Sequence, residues 1–292
     1  MSFTHWKRLL ILTVTLGIIL IFQTPAYAQT PCKMVPTSQI SSVDQAKCLL
    51  RQPKIFGNVG STLTSLPSPL DQLLTKPTID LNKATLRKYL QAKGIKEADI
   101  GGSLDNPVSR ANDNDPNAEL ARYLIIHDTS TPNFGNNPFP NNINEASWSG
   151  NSLNNAPQVA HVFINRVGQS VTKVDFKTPF RATKFEMQSV QKKGLFLNVE
   201  LIQPRKCQPK PNQSQCSQPF NDAKSPNPGF TKAQLDRLAL VYIAASVRRG
   251  KWLIPAFHVV VDIDHGDHDD PQNFSLDQWA TQLNDLLTEI RS

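Results

Sequence analysis

Two segments in the C-terminal half of the chain carry apolar residues at the three- and four-residue spacing of amphipathic α-helices. The first opens with a capping-box pattern, Thr231 followed by Gln234, and is expected to run to about Arg249. The second opens in the same way with Ser275 and Gln278. The predicted inward faces comprise Leu235, Leu238, Tyr242 and Ala245 in the first segment and Trp279, Leu283, Leu286, Leu287 and Ile290 in the second.

Shorter apolar runs upstream predict β-strands. The runs at 123–126 and 195–202 are typical of buried strands, and the segments 161–166 and 171–174 flank Gly168 as the arms of a hairpin would. Strands come first, and the helices follow with one more short extended segment between them. This order predicts an α/β (α+β) fold in which a central mixed β-sheet is flanked by helices.

The segment 29–117 differs from the rest because it is rich in Pro, Ser, Thr and Asn and has few strand-like runs. Its clearest helix is predicted at 81–93, with Asp80 or Asn82 as N-cap and Gly94 after its end. We expect this irregular N-terminal leader, with its short helices, to pack on the main domain. A separate binding module is the alternative.

The main domain is expected at 118–292. Within it, the Pro-, Asn- and Gly-rich stretch 131–157 predicts a long loop. The stretch 204–228 predicts an irregular insertion.

The first 28 residues have the pattern of a secretory signal peptide. Lys7 and Arg8 precede an apolar run at 9–22, and Ala26-Tyr27-Ala28 provides a cleavage site. A single membrane anchor is the alternative, but it usually needs roughly 20 apolar residues. The sequence therefore predicts a secreted or periplasmic protein with no stable membrane insertion after cleavage near Ala28.

Four cysteines follow the signal segment, in two close pairs. Their grouping favours the disulfides Cys32–Cys48 and Cys207–Cys216, one of three possible connectivities. A structural zinc site built from all four thiolates is the alternative. It is disfavoured because the spacing contains no C-x-x-C half.

Composition narrows the class of protein further. With 39% hydrophobic and 19% charged residues and a mean hydropathy of −0.34, the chain is not a polytopic membrane protein, a coiled coil or a fully disordered chain. The net charge of +7 favours anionic partners such as cell-wall polymers, anionic lipid or nucleic acid. A nucleic-acid groove is poorly supported, because there is no dense Lys/Arg block and aromatic residues are only 8%.

Candidate chemistry concentrates in five histidines, three of which lie between residues 255 and 274 among several aspartates. These histidines are His127, His161, His258, His265 and His268. Imidazole with carboxylate is a ligand mix that zinc prefers, and a catalytic zinc site keeps one position open. The sequence has no H-E-x-x-H helix, EF-hand loop or G-x-S-x-G elbow. Any zinc site must therefore be assembled from distant segments.

Five short motifs occur in an order that resembles one enzyme family. They are Tyr123-Leu-Ile-Ile-His127-Asp-Thr129, Ala160-His-Val-Phe-Ile-Asn-Arg-Val-Gly168, Asn198-Val-Glu200-Leu-Ile202, His258 and His268-Asp-Asp270-Pro271. This order is similar to that of the zinc-dependent N-acetylmuramoyl-L-alanine amidases, type 2, of the phage-lysozyme and peptidoglycan-recognition-protein superfamily. The similarity covers roughly 122–290 and excludes the leader.

The resemblance implies an amidase/peptidoglycan-recognition-protein-like fold with Zn²⁺ in a surface cleft and peptidoglycan or muropeptides as substrate. It implies His127, His258 and Asp270 as zinc ligands. It also implies that Glu200 activates the metal-bound water and that His268 stabilises the transition state. Under this resemblance, the reaction is hydrolysis of the amide between N-acetylmuramic acid and L-alanine.

The chain departs from the family pattern in two places. The stretch 258–270 is longer than in the commonest members, so Asp269 or His265 could replace a predicted ligand. The Trp-His-Ala-Gly element that many members carry is missing, and Ala182-Thr-Lys-Phe-Glu186 stands near its place. Two other functions stay open: a non-catalytic peptidoglycan-binding protein of the same fold, and a zinc amidohydrolase acting on another N-acyl substrate.

Overall fold

The structure is a computed structural model that describes residues 30–34, 40–112, 114–188, 192–209, 212, 223–266 and 268–292. The predicted signal peptide and Cys216 lie outside these residues. Within the described part of the chain, no helix combines the length and the apolar composition that a membrane crossing requires.

Five of the seven strands in the described residues form one mixed sheet. The strands are β1 Tyr123–Asp128, β2 Val162–Ile164, β3 Ser170–Thr172, β4 Phe196–Leu201, β5 Lys206–Cys207, β6 Ala223–Lys224 and β7 Ile254–Phe257. The sheet order is β3-β2-β4-β1-β7, and all its neighbours are parallel except the β2–β3 hairpin. The predicted mixed sheet and hairpin are thus confirmed. The insertion is not wholly irregular, because β5 and β6 pair within it.

Seven α-helices accompany the sheet in the described residues. They are α1 Ser42–Leu49, α2 Ser68–Thr75, α3 Lys83–Ala92, α4 Lys184–Met187, α5 Lys232–Arg249, α6 His258–Val261 and α7 Leu276–Arg291. Three-residue 3₁₀ turns lie at Ile55–Gly57, Glu97–Asp99 and Ser149–Asn151.

The two long C-terminal helices begin where the sequence predicts. The Thr231 hydroxyl accepts the backbone N–H of Gln234, whose side chain in turn accepts the N–H of Thr231, so the capping box is complete. α5 ends at Gly250, whose φ of 80° is a left-handed conformation that glycine adopts without strain. Ser275 caps α7 through the N–H of Gln278. Both predicted helices are confirmed.

These helices cover the face of the sheet opposite to His127. Successive side chains of a strand point to opposite faces, and Phe257 of β7 is in register with Ile126, the residue before His127. The Phe257 ring contacts Phe274 at 5.1 Å, and Phe274 contacts Trp279 of α7. The face that carries His127 is therefore left for other elements.

The leader shares the hydrophobic core of the sheet. Leu49 of α1, Leu70 of α2 and Leu86 of α3 are fully buried in the same cluster as β1 and β7. On the His127 face, the Tyr123 hydroxyl of β1 donates to Gln45 of α1 over 3.3 Å. α3 confirms the helix predicted in the leader, with Asn82 as its N-cap. α1 and α2 were not predicted, because each has only eight residues and a short apolar stripe.

The disulfide Cys32–Cys48 is present, with the two Cα atoms 5.8 Å apart. This confirms the first predicted pair and removes two sulfurs from the four-thiolate zinc alternative. Cys207 is also disulfide-bonded. Its predicted partner, Cys216, lies outside the described residues.

Candidate metal centre

The predicted site residues meet at the carboxyl ends of three adjacent parallel strands. His127 lies near the end of β1 and is in register with Glu200 of β4, so both side chains leave the same face of the sheet. His258 follows β7 directly as the first residue of α6. Ligand sites of open α/β sheets form at this edge.

Three of these residues form a group that could hold a metal ion. One ligand atom from each of His127, His258 and Asp270 lies within 4.8 Å of the others, and all three residues are buried. His258 Nδ1 lies 3.0 Å from Asp270 Oδ2, and His127 Nδ1 lies 3.8 Å from the same oxygen. The structure therefore brings together the ligand set that the resemblance implies.

The outer nitrogen of each imidazole already has a hydrogen-bond partner. His127 Nε2 lies 2.9 Å from Asn198 Oδ1, and His258 Nε2 lies 3.1 Å from Asp262 Oδ2. A proton on each Nε2 satisfies these acceptors. The two Nδ1 atoms then face Asp270, with His258 Nδ1 in hydrogen-bond contact with Asp270 Oδ2, and they are the atoms that a cation would bind in place of a proton. Such outer partners orient ligand rings and fix their tautomer.

The short helix α4 fixes these outer partners. The backbone N–H groups of Lys184 and Phe185 each donate to Asp262 over 2.8 Å. The helix begins with a second capping box, formed by Thr183 and Glu186. Glu186 also lies 3.4 Å from the amide nitrogen of Asn198. The segment 182–186 thus holds the groups that orient both imidazoles.

Burial decides the protonation of His127. Burial lowers its pKa to about 3, and the neighbouring His258 adds to the effect. The ring is therefore neutral at physiological pH, which is the form that binds a metal.

His258 and Asp270 stabilise each other's charge. Burial opposes the charge on each, but the Asp270 carboxylate and the hydrogen bonds to Asp270 and Asp262 raise the pKa of His258 to about 10. Conversely, burial would raise the pKa of Asp270, yet the charge and hydrogen bond of His258 hold it well below its usual range. A cation at this place would take over the role of the His258 proton.

Glu200 is the second feature that fits a cation here. Its Oε2 is buried and has no hydrogen-bond partner among the described residues. Burial, together with the nearby Asp270 charge, raises its pKa to about 8. A buried carboxyl group with a raised pKa beside a candidate metal site is typical of a general base. The donor set and this unpartnered oxygen both fit a metal ion.

His268 lies at the rim of the group, with 30% of its side chain exposed. Its ring centroid is 4.1 Å from that of His258, and its Nδ1 is 3.8 Å from Asp270 Oδ1. Burial, with His258 nearby, lowers its pKa. The predicted catalytic histidine is thus beside the predicted ligands.

His258, Asp262 and His268 form a second group of possible ligands. The Asp262 carboxylate already accepts two backbone N–H groups and faces His258 Nε2. The first group is better suited to an ion because the hydrogen bond of His258 Nδ1 is to Asp270, which is itself a member of that group.

The other candidates have different roles. His161 is buried, accepts the backbone N–H of Asn198 at Nδ1 and lies 3.1 Å from the Thr178 carbonyl at Nε2. His265 contacts Gln188, and Asp269 pairs with Arg205. None of the three belongs to a possible ligand group in the described residues. The exchange of Asp269 or His265 for a predicted ligand is therefore not supported.

Sequence reasoning missed a buried ionic cluster beneath the site. Arg205, only 1% exposed, donates to both oxygens of Asp128 at 2.9 and 2.8 Å and to Asp269 at 3.3 Å. The backbone N–H of Asp128 donates to Asp270 over 3.3 Å. Arg205 therefore compensates two carboxylates that flank the predicted ligand. The only signal in the sequence was an arginine at the start of the insertion.

No protein-family model, curated protein or solved structure matches the chain.

Proposed function

We propose that this protein is a zinc-dependent amidase that hydrolyses the bond between N-acetylmuramic acid and L-alanine in peptidoglycan. The observation that carries the proposal is the convergence of His127, His258 and Asp270 on one point, with Glu200 on the neighbouring strand. Two imidazoles and one carboxylate are a ligand set of catalytic zinc sites, which keep one position open. The order of motifs along the chain supports the choice of this family.

Zinc, when bound, polarises the scissile carbonyl and lowers the pKa of a water molecule to near 7. In this proposal, Glu200 takes a proton from the attacking water at its unpartnered Oε2. The water oxygen forms the new carbon–oxygen bond first. Glu200 then gives the proton to the leaving nitrogen as the carbon–nitrogen bond breaks. A carboxyl group whose pKa is raised to about 8 can both accept and return a proton near neutral pH.

His268 donates an N–H to the carbonyl oxygen as negative charge develops there. Its side chain lies at the rim next to His258 and is 30% exposed, which would let a bound substrate reach the ring. A donor held in place before the reaction stabilises such charge by a few kcal/mol.

The substrate class is supported by charge and by the export signal. Cleavage of the predicted signal peptide removes Lys7 and Arg8 and leaves 29 basic and 24 acidic residues, and the resulting net charge of +5 suits an anionic, extended wall polymer. The signal-peptide pattern and the Cys32–Cys48 disulfide suit a secreted or periplasmic enzyme that meets this polymer outside the cytoplasm.

The test uses the mature protein with and without bound zinc, incubated with purified peptidoglycan. Mass spectrometry should find stem peptides with a free L-alanine amine, and a chelator should abolish their release. Glu200→Gln should retain zinc and lose turnover, whereas His127→Ala should lose zinc. The exposed Glu145→Gln is the matched control and should keep both.

Other outcomes select the alternatives. Retention on peptidoglycan without any release would indicate a binding protein. Release from a different acylated amine in defined substrates, with none from muropeptides, would indicate another amidohydrolase.

A further inference from the structure

A cavity of about 690 Å³ lies apart from the metal centre, between the long loop, the β5–β6 ladder and the start of α5. The loop contributes Phe139 and Ile143, and the ladder contributes Lys206 and Lys224. No residue of either possible ligand group lines it among the described residues. Its size is that of a typical small-molecule site.

The lining is cationic. Arg166, Lys206 and Lys224 border the cavity, and the described lining residues include no aspartate or glutamate. Neither lysine pairs with an acidic side chain in the part of the chain that the structure describes. Among the described residues, the two lysine ammonium groups are therefore available to a ligand, whereas the charge of Arg166 also interacts with that of Asp128.

Arg166 makes the cavity a built site. It is only 2% exposed, yet its Nε donates to Asn144 over 2.8 Å and its Nη1 donates to the Gly229 carbonyl over 3.0 Å. These bonds join two walls of the cavity.

The remaining lining suits a sugar ring. Phe139 is held edge-on by Phe134 at 6.1 Å, and Lys206 Nζ lies 5.3 Å from its ring centre. Five amide side chains also border the cavity, and an amide can donate to and accept from a hydroxyl group. They are Asn144, Gln208, Asn227, Gln272 and Asn273. Asn144, Gln272 and Asn273 already make hydrogen bonds within the protein, so Gln208 and Asn227 are the amides best placed to bind a hydroxyl group.

We propose that this cavity binds an anionic sugar, one that carries a carboxylate or a phosphate group. Lys206 and Lys224 would pair with the anionic group, the amides with the hydroxyls, and Phe139 would contact the apolar face of the ring. The proposal is independent of the amidase activity, because the cavity shares no residue with the metal centre.

The test is calorimetric titration of the mature protein with glucuronate, glucose 6-phosphate and glucose, at ~0.15 M salt to suppress unspecific attraction. Glucuronate and glucose differ only in the charged group. We expect at least one of the two anions to bind about tenfold more tightly than glucose. Removing zinc with a chelator should not change this binding.

The variant Lys206→Gln/Lys224→Gln should weaken the anion by about tenfold or more. Lys83→Gln/Lys88→Gln, which removes the same charge from the surface of α3, should leave it unchanged. If the double variant does not fold, the two single variants replace it.

Three results would overturn the proposal. They are equal affinity for glucose and both anions, undiminished anion binding by the Lys206/Lys224 variants, and loss of binding on zinc removal, which would place the anion at the metal centre.

Discussion

Asn198 offers a direct test of how the imidazoles are held, because it touches a proposed ligand without being one. In Asn198→Leu the side chain keeps a similar size, but the acceptor 2.9 Å from His127 Nε2 is lost. The ring then either buries an unpaired N–H or moves its proton to Nδ1, where it blocks the lone pair that faces the cation.

The size of the effect follows from that choice. An unsatisfied buried donor costs about 1–3 kcal/mol. Since about 1.4 kcal/mol corresponds to a factor of ten, we expect zinc affinity to fall roughly 10- to 100-fold, the range usual for outer partners of ligands.

The assay is competition for zinc against a chromophoric chelator at fixed pH. Asn165→Leu is the matched control, since Asn165 is equally buried and hydrogen-bonded but contacts no proposed ligand. The control should lose stability and keep its zinc affinity. Wild-type zinc affinity in Asn198→Leu would refute the view that Asn198 orients His127.

Three further predictions concern stability, measured by urea unfolding. Arg205→Met leaves Asp128 and Asp269 without their buried partner and should cost about 3–5 kcal/mol, whereas Arg291→Met, from an exposed pair, should cost less than about 1 kcal/mol; equal losses would contradict the reasoning. Burial raises the pKa of Glu186 from 4.5 to about 7. The contribution of the protonated Glu186 to the free energy of unfolding is therefore fully present below pH 4.5 and is lost as the pH rises through 7. Glu186→Gln should remove this decline, which amounts to ~3 kcal/mol or less, and an unchanged pH profile would sink the assignment. Cys32→Ser/Cys48→Ser should lower the free energy of unfolding by about 3 kcal/mol, and an unchanged value would contradict this prediction. Reduction of the wild type should lower it at least as much, because reduction also breaks the disulfide of Cys207.

The parts of the fold that the sequence predicts best are those with long or complete local patterns. β1 opens with four apolar or aromatic residues in a row, and β4 is mostly apolar over six residues. α5 has a long apolar pattern between the capping box of Thr231 at its start and Gly250 at its end. α1 and α2 escape prediction because each buries only three residues and depends on packing against β7 or α7 for its stability.

The candidate site shows the same division. His127, Glu200 and His258 are predictable through the order of motifs that resembles the amidase family, and His127 also stands at the end of a recognisable strand. Their partners are not, since Asn198 and Asp262 become neighbours only through sheet register and the turn of α6. Arg205 meets Asp128 across 77 positions of sequence, a pairing that no local pattern encodes.

The short helix α4 has a thermodynamic consequence. The backbone amides of Lys184 and Phe185 donate to Asp262, and Glu186 contacts Asn198. This single turn therefore orients the imidazole rings of both proposed histidine ligands. Linkage is reciprocal, so a bound ion stabilises this turn by the same free energy that the turn adds to the binding of the ion. Loading the centre should therefore slow hydrogen exchange at the amides of Lys184 and Phe185, and loosening the turn should release the ion although no ligand has changed.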